Sequence, residues 1–182
     1  MKVKNKPKIL VCMSGGVDSS VAAALLLQAG YDVTGAFMVN YDDKEALTSC
    51  WRGDYQDALR VAAKLHIPLL RLNFVREYKK AVLDYMYSEY KKGRTPNPDV
   101  LCNKFVKFGF WLKKAKELGF GYIATGHYAR LSGLSSRGPK ASLWERQGSS
   151  IKLLAAKDNN KDQTYFLHQL NQNQLKHTMF PI

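Results

Sequence analysis

Apolar and polar residues alternate along this chain in blocks that predict strands and helices in turn. Four short apolar runs have the length and composition of buried strands: Lys8–Met13, Tyr31–Val39, Leu69–Phe74 and Tyr122–Thr125. Longer stretches with apolar residues three or four positions apart predict helices between them, at Val17–Ala29, Asp54–Leu65, Arg76–Tyr90 and Lys104–Leu118. A short strand at Leu153–Ala156 and a helix at Gln163–Leu170 are predicted to follow.

This alternation is typical of an α/β fold with a doubly wound parallel sheet and helices on both of its faces. In such sheets, ligands bind at the carboxyl ends of the strands. The unusual residues of this sequence fall at those ends. Ser14–Ser19 follows the first predicted strand, Met38 ends the second, and Gly126 with His127 follows the fourth. We therefore expect one ligand site at this edge of the sheet.

The stretch SGGVDSS, residues 14–20, has the composition of a phosphate-binding loop that leads into a helix. Gly15 and Gly16 allow the main chain to approach a phosphate, and the following helix offers its N-terminus to an anion. Asp18 would repel a phosphate directly, so we expect it to hold a metal ion or cap the helix. A Walker loop requires a lysine, which is absent here. The loop therefore favours pyrophosphate as leaving group, with attack at the α-phosphate of ATP.

The chain carries a formal net charge of +13, which favours a polyanionic partner. Residues 76–117 hold eleven Lys or Arg and five Asp or Glu, a net charge of +6 in one stretch. The alternative is a lysine-rich helix surface that is merely solvated. No apolar run approaches the ~20 residues that a membrane span needs, and the lysine-rich start is not followed by a secretory signal. We therefore expect no membrane partner and a cytoplasmic location.

The three cysteines are too widely spaced for a metal motif or a disulfide framework. Cys102 follows the proline-rich stretch GRTPNPDVL and comes just before a helix predicted to start near Asn103. A thiol at a helix N-terminus near lysines is expected to have a lowered pKa, although a small packing residue is the alternative. Cys12, within a predicted strand, is expected to be buried and inert. The role of Cys50 stays open.

Five blocks of the sequence together resemble the tRNA-specific 2-thiouridylases, which make 2-thiouridine at the wobble position of certain tRNAs. The blocks are SGGVDSS, FMVNY, GRTPNPDVLCNKFVKF, YIATGHYAR and KDNNKDQTYFL, and they span nearly the whole chain in that order. SGGVDSS by itself is also similar to the loop of adenylating enzymes such as GMP synthetase and NAD synthetase. The resemblance implies an adenine nucleotide alpha hydrolase-like, Rossmann-like fold.

The resemblance also implies a reaction and its residues. ATP would adenylate the C2 oxygen of the uridine, and sulfur from a cysteine persulfide would then replace that oxygen. ATP and Mg²⁺ are the implied cofactors, with Asp18 at the metal. The implied ATP-binding residues are Cys12, Met13, Ser14, Gly15, Gly16, Val17, Asp18, Ser19, Met38 and Gly126. The implied catalytic residues are Cys102 as nucleophile and Asp99; those contacting the uridine are Asn97, Pro98 and Asp99, and those contacting tRNA are Lys161, Asp162 and Gln163.

The family has a second cysteine, the persulfide carrier, after this region, whereas no cysteine follows Cys102 here. We therefore expect residues 1–182 to be an N-terminal ATP-pyrophosphatase domain, truncated before the family's tRNA-binding and β-barrel domains. A basic arm is expected at 1–7 and a mobile loop at 132–150. The expected partners are the tRNA anticodon stem-loop and a protein that donates persulfide sulfur. Two alternatives stay open: an ATP pyrophosphatase with a small-molecule substrate, and a nucleotide- or RNA-binding module without catalysis. His127 is either a catalytic or phosphate-binding residue or a structural one.

Overall fold

The computed structural model describes residues 7–42, 51–132 and 150–182. Its strands are β1 (Lys8–Cys12), β2 (Asp32–Val39), β3 (Leu69–Asn73), β4 (Tyr122–Ala124), β5 (Arg130–Ser132), β6 (Lys152–Leu154) and β7 (Thr178–Met179). Its α-helices are α1 (Val17–Gln28), α2 (Trp51–Leu65), α3 (Val75–Tyr78), α4 (Asp84–Lys91), α5 (Pro98–Leu101), α6 (Trp111–Glu117) and α7 (Gln172–Lys176). Two π-helical segments, Lys79–Leu83 and Cys102–Phe110, join α3 to α4 and α5 to α6, and Thr164–Phe166 forms a 3-10 turn.

Five strands form one parallel sheet in the order β3-β2-β1-β4-β7. The strand β1 is central, and its Ile9 lies between Val33 of β2 and Tyr122 of β4. The chain first builds outwards from β1 to β3 and then returns to add β4 on the other side. The strand order therefore reverses between β1 and β4, which is where doubly wound sheets bind ligands. The predicted fold class is confirmed.

Successive residues of β1 point to opposite faces of the sheet and enter two separate cores. Ile9 and Val11 pack with Leu26 of α1 on one face, whereas Leu10 packs with Trp111 of α6 on the other. All five side chains are at most 3% exposed. Helices thus cover both faces, which explains why β1 is a continuous apolar run without polar alternation.

The helical run that carries Cys102 begins at Pro98, six residues before the predicted start at Lys104. Asn97 caps it, since its side-chain oxygen accepts the N–H groups of Asp99 at 3.0 Å and Val100 at 3.3 Å. Asparagine before the first helical residue and proline at that residue are both favourable. Cys102 consequently lies a full turn inside the helical run and not at its N-terminus.

The carboxyl-terminal part of the structure differs most from the prediction. The helix predicted at Gln163–Leu170 is wrong, because only Thr164–Phe166 adopts a helical turn. The helix α7 and the strand β7, which were not predicted, complete the sheet instead. These elements have five and two residues, too few to show a hydrophobic period.

Three of the features singled out in the sequence concern residues that the structure hardly describes. The predicted arm at 1–7, the predicted loop at 132–150 and Cys50 lie almost wholly outside the described residues. Within the described ranges, no helix has the length and apolarity that crossing a membrane requires.

Candidate nucleotide-binding site

A cleft of about 550 Å³ opens at the carboxyl ends of β1, β2 and β4, next to the reversal in strand order. Its volume lies within the range of small-molecule sites. Seven of the ten predicted ATP-binding residues line it, namely Cys12, Met13, Ser14, Asp18, Ser19, Met38 and Gly126, whereas Gly15, Gly16 and Val17 do not. The other lining residues are Phe37, Asn40, Tyr41, Trp51, Asp54, Lys107, Thr125, His127 and Gln163. The cleft therefore brings together residues from sequence blocks that lie more than a hundred positions apart.

The glycine loop at Ser14–Ser19 is closed by hydrogen bonds between its own residues. Ser19 Oγ accepts the main-chain N–H of Ser14 at 3.2 Å and donates to the Gly16 carbonyl at 3.1 Å. Gly16 is the N-cap of α1 and contributes no capping side chain. The first N–H groups of this 12-residue helix are thus left for another acceptor, as in known anion-binding helix termini.

Gly15 and Gly126 are required by close contacts between main chains. Gly15 has a φ of +85°, and a Cβ atom there would collide with the carbonyl oxygen of Asp54 in α2. A Cβ atom on Gly126 would lie 2.7 Å from main-chain atoms of Asp18 and Ser19. The sequence predicted that Gly15 serves the approach of a phosphate, and the structure shows a further need for glycine there, the close packing against α2.

The segment that contains Lys161 and Gln163 reaches the cleft through Tyr128. The Tyr128 hydroxyl donates to Asp18 Oδ1 at 3.1 Å, and this bond raises the pKa of the phenol. The main-chain N–H of Gln163 donates to the Tyr128 carbonyl, and the Gln163 Oε1 atom accepts the main-chain N–H of Tyr128, each at 3.0 Å. Lys161 Nζ lies 5.6 Å from the Tyr128 ring centroid. Tyr128, which was not singled out in the sequence, thus links the loop to two of the three residues expected to contact tRNA.

Asp162, the third of these residues, has its carboxylate engaged within the chain. Its Oδ1 accepts the N–H of Ala156 at 2.7 Å, and its Oδ2 accepts the hydroxyl of Thr164 at 2.5 Å. The bond from Thr164 is the main cause of the lowered pKa of Asp162. The structure therefore gives Asp162 a local role in fixing the turn that carries Lys161 and Gln163.

Asp18 lies in the first turn of α1 and is exposed to the cleft, which Asp54 also lines. Mg²⁺ at nucleotide sites is commonly held by one or two carboxylates together with phosphate oxygens. These two side chains fit that donor set. In the described part of the chain, no group of three or more His, Cys, Asp or Glu side chains forms a metal site without such phosphates.

The expectation of a lowered pKa for Cys102 is wrong. The residue is buried, with 8% of its surface exposed, and burial raises the pKa of its thiol. The charge of Lys107 opposes this effect, whereas that of Asp99 adds to it. Because the helical run begins at Pro98, the helix terminus does not act on the thiol directly. Cys102 is therefore a protonated, shielded thiol in this structure.

Cys12 is the second thiol of this region, and it lines the cleft at the end of β1. Part of the residue is accessible, but its surroundings bury the thiol and raise its pKa to about 11. Lys107 and Cys102 are close enough to affect this pKa. The raised pKa agrees with the expectation of an unreactive thiol, but Cys12 is only partly buried, and it lines the cleft as the resemblance implied.

The predicted uridine-binding residues, Asn97, Pro98 and Asp99, lie at the start of α5 and do not line the cleft. A buried carboxylate holds the segment before them in place. Glu89, 8% exposed, accepts Lys92 Nζ at 2.9 Å and Arg94 Nη1 at 3.1 Å, and these bonds lower its pKa. This clamp joins the end of α4 to the loop that leads to Asn97.

His127 is a neutral side chain wedged between aromatic rings. Its centroid lies 5.9 Å from that of Phe108 and 6.2 Å from that of Phe180, and its Nδ1 is 2.8 Å from the Thr125 hydroxyl. Burial, and secondarily the charge of Lys107, lowers its pKa to about 3. At neutral pH the imidazole therefore has no charge to offer a phosphate, which favours a positioning or hydrogen-bonding role.

Aromatic residues form one end of the cleft and were not predicted as site residues. The ring of Phe37 lies 6.4 Å from that of Trp51 and 5.2 Å from that of Tyr55. Arg71 stacks over the latter two rings, at 5.7 and 5.9 Å. Phe37 and Trp51 line the cleft together with Met38. The residues of this cluster come from β2, α2 and β3, so their proximity could not be read from sequence spacing.

The fold and the cleft together define a doubly wound α/β domain with a glycine loop and an uncapped helix N-terminus at its switch point. The family model described as "tRNA methyl transferase HUP domain" matches residues 7–182. The chain belongs to this family.

The curated relatives carry a more specific description. The chain is 49% identical over 176 residues to the "tRNA-specific 2-thiouridylase MnmA" of Listeria monocytogenes, covering 96% of this chain and 44% of the relative. It is 50% identical over 177 residues to the protein of that name from Lysinibacillus sphaericus, with the same coverage. This chain therefore spans less than half the length of these relatives.

Among solved structures, the chain is similar to one described as a predicted subunit of tRNA methyltransferase from Methanocaldococcus jannaschii. The identity is 15%, the TM-score is 0.49, and the match covers 96% of this chain and 67% of the other. A similarity at this level carries no conclusion about function, so the sequence relatives are the stronger guide.

Proposed function

We propose that this chain carries the ATP-dependent part of tRNA 2-thiolation, in which a wobble uridine is adenylated and then receives sulfur. The observation that carries this proposal is the arrangement of the cleft. A glycine loop without a Walker lysine lines the cleft together with Lys107 of the segment Cys102–Phe110, in which Cys102 itself is buried and does not line the cleft. Relatives at 49% identity are named tRNA-specific 2-thiouridylases, and this arrangement suits the chemistry that their name describes.

In this proposal ATP lies across the carboxyl ends of the strands. Its adenine and ribose occupy the side lined by Met38 and Gly126, and its triphosphate lies at Ser14–Ser19. Mg²⁺ bound by Asp18, with Asp54 beside it, would neutralise charge on the phosphates. His127, hydrogen-bonded to the Thr125 hydroxyl and neutral because burial lowers its pKa, adds no charge of its own to the cleft.

The reaction has two displacements. The uridine C2 oxygen attacks the α-phosphate, a bond to that phosphorus forms, and pyrophosphate leaves. The terminal sulfur of a cysteine persulfide then attacks C2, and AMP leaves with the oxygen. Cys102 attacks the carrier sulfur, so that the S–S bond to the new thiouridine breaks and a disulfide between Cys102 and the carrier forms. The thiol proton of Cys102 is released in this last step.

The proposed partners follow from charge and from the position of the uridine loop. Residues 76–117 carry a net charge of +6, and Asn97 and Asp99 are exposed at the start of α5. We assign Asn97, Pro98 and Asp99 to the uridine, and Lys161 and Gln163 to the anticodon stem-loop. A protein that carries persulfide supplies the sulfur. A uridine out of the base stack is needed for this reaction, as in other enzymes that modify bases. The cytoplasm is the proposed location.

The products of ATP cleavage test this proposal. The chain is incubated with ATP labelled at the α-phosphate and with a tRNA transcript that has uridine at the wobble position. We expect label in AMP, dependent on that uridine, since a cytidine transcript should give no turnover. Label in ADP, or the same AMP yield with both transcripts, would contradict the proposal. Turnover that needs only a small molecule would support the alternative pyrophosphatase.

A further inference from the structure

The cleft contains a lysine even though its glycine loop does not. Lys107 comes from the π-helical segment Cys102–Phe110, on the wall opposite α1, and lines the cleft together with Ser14 and Asp18. It is half-buried. A lysine side chain loses hydration when it is half-buried, so its ammonium group favours an anionic neighbour there.

The π-helical geometry explains how Lys107 reaches this position. Hydrogen bonds in a π-helix join residues five apart, as the bond from Trp111 N–H to the Val106 carbonyl does here. Residues five apart therefore lie on one face of the segment, whereas an α-helix aligns residues three and four apart. Lys107 is five residues after Cys102. The π-helix thus directs the lysine to the side of the segment on which the thiol lies.

The electrostatic effects of Lys107 agree with this placement. Its positive charge opposes the burial effect on the pKa of both Cys12 and Cys102, and it helps to lower the pKa of His127. These three side chains come from the end of β1, the helical run and the loop after β4. The ammonium group therefore lies near the point where the three elements meet.

Among the described residues, Lys107 forms no ion pair. Asp18 and Asp54 line the same cleft, but neither is paired with it, and the observed ion pairs involve other lysines and arginines. A half-buried cation without a carboxylate partner lies opposite the uncapped N-terminus of α1. Lys107 and the free N–H groups of α1 thus offer positive charge and hydrogen-bond donors beside the carboxylates of Asp18 and Asp54, which matches a polyphosphate with its Mg²⁺ and not a neutral ligand.

We propose that Lys107 binds a phosphate oxygen of the nucleotide, so that it replaces in space the lysine that the glycine loop lacks in sequence. This inference rests on the proposed function, since it requires ATP in the cleft. It adds a phosphate-binding residue supplied by the same helical segment as the nucleophile. The segment would thereby place the thiol and the phosphate-binding ammonium group in one rigid unit.

Binding of ATP and adenosine to the 182-residue chain, measured by calorimetry with Mg²⁺ present, tests this inference. Lys107→Met should weaken ATP binding by about tenfold to a hundredfold, the range for a charge-assisted hydrogen bond. Adenosine affinity should not change, because adenosine has no phosphate. Lys107→Arg should retain much of the ATP affinity. Lys116→Met, which removes an exposed lysine from α6, is the matched control and should bind ATP normally.

The outcomes separate this inference from the proposed function. ATP binding by Lys107→Met at the wild-type affinity would overturn the role of Lys107 while leaving the cleft as the ATP site. Equal losses for ATP and adenosine would also overturn it, since they would indicate a structural role. A wild-type chain that does not bind ATP would contradict both the inference and the proposed function.

Discussion

The glycine loop at Ser14–Ser19 and the helical run from Pro98 to Glu117, which contributes Lys107 to the cleft, are two walls that hold their shapes in different ways. The loop is fixed by main-chain proximity, with Gly15 against α2 and Gly126 against the start of α1. The helical run is fixed by side chains, above all by Gln174 of α7. The loop is therefore sensitive to added volume, and the helical run is sensitive to lost hydrogen bonds.

Gln174 shows how the helical wall depends on a distant element. Its Nε2 donates to the carbonyls of Lys104 at 2.9 Å and Phe108 at 3.0 Å, and its Oε1 accepts the N–H of Asn171 at 2.9 Å. The side chain is buried. Every hydrogen-bonding group of the amide is thus used, and two carbonyls of the π-helical segment depend on it.

The largest expected effect is the loss of this amide. Gln174→Leu keeps much of the volume but removes the donor to two carbonyls of the helical run and the acceptor of the Asn171 N–H, which costs about 3 kcal/mol in the free energy of unfolding. Chemical denaturation measures this value. Gln169→Leu, at an exposed position without such bonds, should change the stability by less than about 0.5 kcal/mol. Similar losses for both variants would show that Gln174 does not brace the helical wall.

A second prediction probes the loop wall by adding one methyl group. Gly126→Ala places a Cβ atom against the main chain of Asp18 and Ser19, which must move apart, at a cost of about 2 kcal/mol. We expect lower stability and a loss of ATP affinity, both measurable on the purified variant. Gly121→Ala is the control, because nothing lies within 4 Å of the added atom. An unchanged ATP affinity for Gly126→Ala would mean that the loop tolerates the shift.

His127, between the two walls, predicts a pH dependence of stability. Its pKa is lowered from the ordinary 6.5 to about 3. Between these values the unfolded chain binds a proton that the folded chain does not, so the folded state loses stability as pH falls. The slope is about 1.4 kcal/mol per pH unit for one proton. Unfolding measured at several pH values should show a shallower dependence for His127→Gln, whereas the exposed His168→Gln should match the wild type. Parallel curves for all three proteins would contradict this prediction.

The smallest effect concerns the outer surface of the helical wall. Lys113 and Lys116 are exposed, whereas Lys114 is paired with Glu117 at 3.3 Å. Lys113→Glu should weaken tRNA binding several-fold, and the wild-type affinity should fall with salt with a log–log slope near −3.5 if about five phosphates are contacted. Lys64→Glu, on α2, is the control. Binding that is insensitive to salt would indicate a merely solvated surface.

The loop wall was largely predictable from the sequence, because strand, glycines and helix are contiguous and their pattern is local. The strands and the positions of Ser14, Met38 and Gly126 at their ends are confirmed as lining one cleft. Doubly wound sheets place strand ends together, so the alternating pattern was sufficient for this result.

The helical wall was less predictable because its geometry depends on tertiary contacts. The signature at Asn97 and Pro98 indicates a helix start, but the nearby glycine and prolines favoured a loop. The π-helical register, which aligns Lys107 with Cys102, depends on Gln174 about seventy residues away. The pKa of Cys102 was predicted in the wrong direction for the same reason, since burial outweighs the charge of Lys107.

The central claim is that both walls bind one nucleotide with its phosphates between them. A crystal structure of the chain with α,β-methylene-ATP, in which the α–β linkage cannot be cleaved, tests this most directly. We expect the phosphates at the main-chain N–H groups of residues 15–19, the base beside Met38, and Lys107 Nζ within hydrogen-bonding distance of a phosphate oxygen. An analogue bound outside the cleft, or with its base at the glycine loop and its phosphates beside Met38, would contradict the account.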